Sequence, residues 1–151
     1  MRPKPITIGE VEYTAFSLVE KLMTWDEPIP SFGSRFPHIL ESCLEVPFTR
    51  FAQKDLYRGL VGKASILFYL LIKNHPFQNG NKRIAIMCLL YFLYKNDKWL
   101  SITNDRLYRF AKHLAGSGPQ KRERITEHIQ GFLSAHIKNL RPEIIESFGS
   151  P

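Results

Sequence analysis

The sequence has few cysteines, fewer acidic than basic residues, and no long uninterrupted apolar run. Its two cysteines, Cys43 and Cys88, lie in apolar helical contexts, which indicates buried thiols in a reducing compartment and not a disulfide framework. No cysteine–histidine cluster has zinc-site spacing. The N-terminal residues lack an apolar h-region, and Lys, Asn or Arg interrupts the apolar runs, so we expect neither a secretory signal nor a membrane span. These absences predict a cytoplasmic protein.

The sequence contains enough apolar residues to form one domain with its own hydrophobic core. It has 151 residues, of which 44% are hydrophobic. The formal net charge is +7 and the pI is near 9.5. Such a charge attracts polyanions, which include nucleotides, nucleic acids and acidic protein segments. The charge alone does not choose among these partners.

Apolar residues recur at helical spacing through most of the chain. This spacing predicts helices over residues 9–23, from Asp55 to Lys73, over residues 84–94, after Thr103, and over residues 121–140. Asp55 is predicted to cap the second of these helices. The helix over 84–94 is apolar on nearly all faces, which is typical of a helix enclosed by others. The pattern predicts an all-α bundle.

Nine residues, HPFQNGNKR, separate the two most apolar helices. Pro76 and Gly80 exclude this stretch from a helix interior, so it predicts a tight loop that enters the N-terminus of a buried helix. Unpaired N–H groups and the helix dipole make such a terminus suitable for an anion. Gly80 allows a positive φ and a close approach of the backbone to a ligand.

The side chains of this loop predict phosphate chemistry. Asn81 and the backbone amides are expected to bind phosphate oxygens, and Lys82 adds a charge in the first helical turn. Arg83 has the forked geometry for bidentate phosphate contact. His75 precedes the anion site and can accept a proton near neutral pH. A base beside an anion site is the minimum equipment for phosphoryl or nucleotidyl transfer.

The nine-residue stretch resembles the signature of the Fic/Doc superfamily, H-x-F-x-(D/E)-G-N-G-R. Its G-N-K-R ending resembles the death-on-curing (Doc) branch. The matching residues are His75, Phe77, Gly80, Asn81 and Arg83, with Lys82 in the Doc form. An upstream segment also resembles a Doc pattern, and the matching residues there are Gly33, Arg35, Leu40, Glu41, Ser42 and Leu44. The resemblance covers residues from about 33 to 114 of a single domain, 1–151.

The resemblance implies a helical bundle with a flap loop or short hairpin before the motif. Gly33 and Arg35 would belong to this flap, which guides the target. His75 would take the proton from a target hydroxyl, with ATP and Mg²⁺ as cofactors. Asn79 replaces the usual metal-binding carboxylate, so it is a candidate but weaker metal ligand. Phe36 stands where an acidic residue usually follows the arginine.

Lys82 fills the space that a glycine leaves for phosphate in AMP-transferring members. The resemblance therefore implies a kinase that transfers the γ-phosphoryl group, with an AMP transferase or a catalytically degenerate binding module as alternatives. No inhibitory (S/T)-x-x-x-E-(G/N) pattern occurs in the sequence. The Doc resemblance implies a toxin, and the missing pattern then predicts that its inhibitor is an antitoxin acting in trans. The implied target is a translation factor such as elongation factor Tu.

Overall fold

A computed structural model describes residues 2–25, 28–118 and 121–140 of the chain, and this part is an all-α bundle with two small sheets. The first helix, α1, runs continuously through Ile8–Glu10, a π-helical segment Val11–Phe16, and Ser17–Leu22. The other helices are α2 (Pro37–Glu45), α3 (Gly59–Lys73), α4 (Asn81–Lys95), α5 (Asn104–Ala115) and α6 (Arg122–His136). The strands are β1 (Arg50–Phe51), β2 (Lys54–Asp55), β3 (Lys98–Leu100) and β4 (Ile137–Asn139), and 3₁₀ turns lie at Phe32–Ser34 and Val46–Phe48.

Helices α3 and α4 form the centre of the molecule. Every residue of α3 from Gly62 to Phe68 is buried, and so is every residue of α4 from Arg83 to Leu90. The prediction that these helices are enclosed by others is confirmed, as is the all-α class. No helix of the described ranges is long and apolar enough to cross a membrane.

Both cysteines lie in this core, as predicted. Cys43 and Cys88 are free thiols with no exposed surface. Burial raises the pKa of the Cys43 thiol to about 12. Burial, with a smaller effect of Cys43, raises the pKa of Cys88 to about 12 as well. Both side chains are therefore protonated, inert core residues at neutral pH.

The predicted start of the second helix is wrong. Asp55 does not cap it; the helix begins at Gly59, with Arg58 at the N-cap position. Asp55 instead lies in the β1–β2 hairpin, where one carboxylate oxygen accepts a hydrogen bond of 3.1 Å from Lys63 Nζ. Lys63 has no exposed surface. A buried ammonium needs a counter-charge, and this need holds Asp55 outside the helix.

The predicted end of the last helix is also wrong. The helix stops at His136, and Ile137–Asn139 forms β4, which pairs antiparallel with β3. Trp99 lies at the centre of β3. Backbone pairing between distant segments overrides the helical pattern of residues 137–140.

Candidate functional site

The loop between α3 and α4 begins with an unusual backbone conformation. Helix α3 ends at Lys73, and His75 has a φ of 49°, in the left-handed region that side chains other than glycine rarely adopt. The His75 side chain is exposed and makes no hydrogen bond or ion pair within the described residues. The loop therefore presents this imidazole to solvent.

Phe77 fixes the loop to the core. Its side chain is only 3% exposed. The ring centroid lies 5.8 Å from that of Phe16 on α1 and 5.9 Å from that of Phe32. Phe77 therefore anchors the motif loop in the core.

The side chain of Asn81 closes the loop on itself. Its Oδ1 accepts a hydrogen bond of 2.9 Å from the Phe77 N–H, and its Nδ2 donates one of 2.8 Å to the Phe77 carbonyl. The sequence did not reveal this bracing role. Phosphate binding by Asn81 stays a prediction. Because the side chain is used within the loop, the backbone N–H groups in the first turn of α4 are the groups suited to bind phosphate.

Gly80 is required by both conformation and space. Its φ is 76°, and a Cβ at this position would lie 3.0 Å from Ile29 Cγ1. Asn79 Oδ1 accepts a hydrogen bond of 2.8 Å from the Gly80 N–H. The candidate metal ligand therefore also stabilises the turn, and the contact with Ile29 was not predicted.

Lys82 and Arg83 follow in the first turn of α4 but lie in different environments. Lys82 is half-buried, and its side chain has no hydrogen-bond or ion-pair partner in the part of the chain that the structure describes. No acidic residue lies in this turn. The positive end of the helix dipole and the Lys82 charge therefore coincide, which favours an anion here.

Arg83 is buried beneath the loop with 3% of its surface exposed. Its Nη1 donates hydrogen bonds of 3.0 Å to the Met23 carbonyl and 2.8 Å to the Trp25 carbonyl. Bidentate phosphate binding by Arg83 stays a prediction. In this conformation its Nη1 already donates to carbonyl groups of the backbone that follows α1. The residues that follow Arg83 are apolar on nearly all faces of the helix, and this pattern could have indicated that Arg83 is buried too.

The predicted flap lies beside the motif loop. The Phe36 N–H donates a hydrogen bond of 2.9 Å to the Pro76 carbonyl, which joins this segment to the residue after His75. The Arg35 guanidinium stacks over the Phe32 ring at 4.3 Å, and its Nε is buried without a hydrogen-bond partner. Gly33 is exposed in the 3₁₀ turn. The flap is a loop, and a short hairpin forms instead at residues 50–55, between the flap and the motif.

The protein groups at this site do not by themselves form a metal centre. The described residues contain no group of three or more histidine, cysteine or carboxylate side chains that could hold an ion. Asn79 offers one neutral amide oxygen, which already accepts the Gly80 N–H. Mg²⁺ prefers carboxylate, phosphate and water oxygens. The residues present therefore do not fit a metal bound by protein alone.

Comparisons with known proteins give one match. A search of curated proteins and a search of solved structures each found none. The model of the Fic/DOC family matches residues 16–93. This range is more than half of the 151 residues, and it includes α1 from Phe16, the flap, the motif loop and most of α4. The chain belongs to the Fic/DOC family.

Proposed function

We propose that the chain is a protein-modifying enzyme that transfers the γ-phosphoryl group of ATP to a hydroxyl of a target protein. The Fic family generally transfers nucleotide-derived groups onto proteins. The observation that carries the proposal is one braced loop holding two unpartnered side chains. These are the exposed His75 imidazole and the Lys82 ammonium at the N-terminus of α4.

Each residue of the loop has a separate task. His75 accepts the proton of the target hydroxyl. The N–H groups of the first turn and Lys82 bind phosphate oxygens. Asn81 and Phe77 keep the base and the anion site at a fixed distance, since a small displacement of either lowers the rate strongly. Arg83 contributes its charge from beneath the loop.

Lys82 supports transfer of the γ-phosphoryl group. Its side chain adds bulk and charge where AMP-transferring members have glycine. Lys82 and the helix N-terminus would bind the α- and β-phosphates. In this pose the γ-phosphorus faces the target hydroxyl that His75 deprotonates. The hydroxyl oxygen then bonds to this phosphorus, the bond to the β–γ bridging oxygen breaks, and ADP leaves. ATP supplies the transferred group, and no step depends on a metal bound by this chain alone.

The biological setting follows from the same family. We propose a toxin whose target is a translation factor such as elongation factor Tu. The sequence lacks the inhibitory pattern found in self-inhibiting members, which supports control by an antitoxin acting in trans. The loop of Gly33 and Arg35 lies against Pro76, where it can align a target segment with His75.

The first prediction concerns the transferred group and its base. Host extract incubated with the protein and γ-³²P-ATP should yield a labelled target, whereas α-³²P-ATP should not. His75→Ala should reduce the labelling by about 10²–10⁴-fold, since that is the usual effect of a lost general base. His113→Ala, which removes an exposed histidine of α5, is the matched control and should label normally.

Two results would contradict the proposal. Label from the α position alone would identify an AMP transferase. No label from either nucleotide, with the folded protein still binding its target, would identify a degenerate binding module. Mass spectrometry of the target measures the added group independently.

A further inference from the structure

The start of α2 exposes apolar side chains to solvent. Phe36, at the N-cap position, is 45% exposed and Ile39 is 36% exposed, and Pro37 between them is exposed as well. The opposite side of the helix is buried through Leu40 and Cys43. The outer side of a surface helix normally carries polar residues. The exposed residues Phe36, Pro37 and Ile39 are called the apolar patch below.

The apolar patch lies beside the motif loop. The Phe36 N–H donates a hydrogen bond of 2.9 Å to the Pro76 carbonyl. Pro76 directly follows His75, whose side chain is exposed. The N-cap residue of α2 is therefore fixed next to the base of the proposed transfer. A protein segment that brings a hydroxyl to His75 can also contact the patch.

The stability of α2 does not explain a phenylalanine at position 36. The Phe36 side chain makes no hydrogen bond to the helix, and the first turn contains no acidic residue. Ser, Thr, Asp or Asn at the N-cap would accept an N–H of the first turn, and an acidic side chain would also interact favourably with the helix dipole. A residue that departs from local preference without a structural gain is expected at a functional surface.

Arg35 places a positive charge next to the patch. Its guanidinium stacks over the Phe32 ring, and its Nη1 donates a hydrogen bond of 3.3 Å to the Phe32 carbonyl. Its Nε is buried without an acceptor, and the side chain forms no ion pair among the described residues. Glu41, which lies further along α2, is 3.8 Å from His38. The surface around the patch therefore favours an acidic segment over a basic one.

We propose that the apolar patch and Arg35 recognise the segment of the target that carries the modified hydroxyl, an assignment that rests on the proposed function. This segment has an aliphatic or aromatic side chain that packs on Phe36 and Ile39, and a carboxylate that binds the Arg35 guanidinium. An acidic residue at position 36 would instead favour a basic segment, because opposite charges attract and like charges repel. Phe36 is thus a specificity-determining residue of this chain.

Selection from a displayed library of random peptides with a central threonine tests this recognition without any transfer. The wild-type protein, without ATP, should select peptides with an apolar residue and an Asp or Glu close to the threonine. Phe36→Ala should weaken binding of the selected peptides by about tenfold or more, because a large apolar contact is lost. Arg35→Gln should remove the preference for the acidic residue and keep the apolar one.

Two further variants separate recognition from folding. Phe36→Asp should select Lys or Arg in place of the apolar residue, and it should unfold at the same temperature as the wild type or higher, because an aspartate can cap α2. Phe51→Ala removes a ring that is 73% exposed on the β1–β2 hairpin, at the other end of α3. It is the matched control for Phe36→Ala and should select the same peptides as the wild type.

Kinetics with the labelled host target give a second readout. Phe36→Ala should raise the KM for the target by about tenfold and leave the KM for ATP unchanged, because the patch contacts the target and not the nucleotide. A substitution that only loosened the motif loop would change the KM for both substrates.

Four outcomes would overturn the proposal. Selection of the same peptides by the Phe36→Ala protein, or no enrichment by the wild type, would show that the patch recognises no target sequence. A wild-type dimer that Phe36→Asp dissociates, measured by analytical ultracentrifugation, would identify a second copy of the chain as the occupant. Selected peptides that block labelling of the host target without being labelled would identify an inhibitor segment. Normal peptide selection by a wild type that transfers no label would instead reject the proposed transfer alone.

Discussion

The backbone of His75 is strained because its φ of 49° places a side-chain-bearing residue where a helix usually ends in glycine. The left-handed conformation costs an ordinary L-residue roughly 1–2 kcal/mol. No hydrogen bond of the imidazole within the described residues offsets this cost. Such strain at an exposed, chemically competent side chain supports a functional reason for the histidine.

The second prediction follows from this strain. His75→Gly should be more stable than His75→Ala by about 0.5–1 kcal/mol, because glycine adopts a positive φ without a steric cost. Urea denaturation of both variants measures the difference. The same pair at His113, inside α5, should give the opposite order, since glycine destabilises a helix by about 1 kcal/mol relative to alanine. Equal stabilities of the two His75 variants would show that the loop relaxes.

At the scale of elements, a polar network joins α1 to α4. Thr7 caps α1, and its N–H donates to Glu10. Glu10 also accepts hydrogen bonds of 2.8 Å from the Tyr91 hydroxyl and 2.7 Å from Lys95 Nζ. Burial raises the pKa of Glu10, but the bonds from Lys95, Tyr91 and Thr7 outweigh it, so the net pKa is lowered. Burial and Glu10 raise the pKa of Tyr91 to about 12.

The third prediction is the pH dependence of this network. A carboxylate with a lowered pKa stabilises the folded state above its ordinary pKa of ~4.3, and the stability is lost as the pH falls through the folded-state pKa. Glu10→Gln should reduce the free energy of unfolding by about 1 kcal/mol at pH 7. The difference from the wild type should shrink towards pH 3.

Glu12→Gln is the control for this prediction. Glu12 lies in the same helix, and its side chain makes no hydrogen bond or ion pair among the described residues. We expect little change in the free energy of unfolding at either pH. A constant difference between Glu10→Gln and the wild type from pH 7 to pH 3 would contradict the role of the Glu10 charge.

At the scale of the whole molecule, Arg83 connects the start of α4 to backbone about 60 residues earlier. Its Nη1 binds two carbonyls that follow α1, those of Met23 and Trp25. Helix α1 supplies Phe16 to the aromatic contact with Phe77. The motif loop is thus supported from one side by the Phe16 ring and from below by Arg83. Both supports depend on the position of α1.

The fourth prediction separates Arg83 from Lys82. Arg83→Met should lower the free energy of unfolding without any nucleotide by about 2 kcal/mol, because hydrogen bonds of a buried charged group are lost. Lys82→Met should leave the stability nearly unchanged but weaken ATP binding, measured by calorimetry. An Arg83→Met protein of normal stability and impaired ATP binding would show that Arg83 acts as a direct phosphate ligand.

Local patterns predicted the helical class and the loop that interrupts it. The apolar repeats gave α3 and α4 within a few residues, and Thr103 caps α5 as its sequence position suggests, accepting from the Arg106 N–H at 3.2 Å. The burial of Phe77 is also a local consequence of the sequence, because an aromatic residue between two buried helices has an apolar surface to bury. The roles of Asn81 and Ile29 were not predictable, since each depends on a contact that only the folded loop creates.

The sequence by itself determined that two enclosed helices meet at a polar loop with a base, a glycine and two cations, because helical periodicity and the constraints of proline and glycine act within a few residues. Only the tertiary structure decided which of these cations is buried. The Lys82 side chain has no hydrogen-bond or ion-pair partner among the described residues, while Arg83 is buried and donates to the carbonyls of residues 23 and 25. The hairpin at Asp55 and the pairing of β4 with β3 were also decided this way. Strand β4 needs a partner about 40 residues earlier, and Asp55 pairs both with Lys63 and with Arg2, which is 53 residues away. Contacts between side chains and strands outside one helical repeat leave no periodic trace in the sequence.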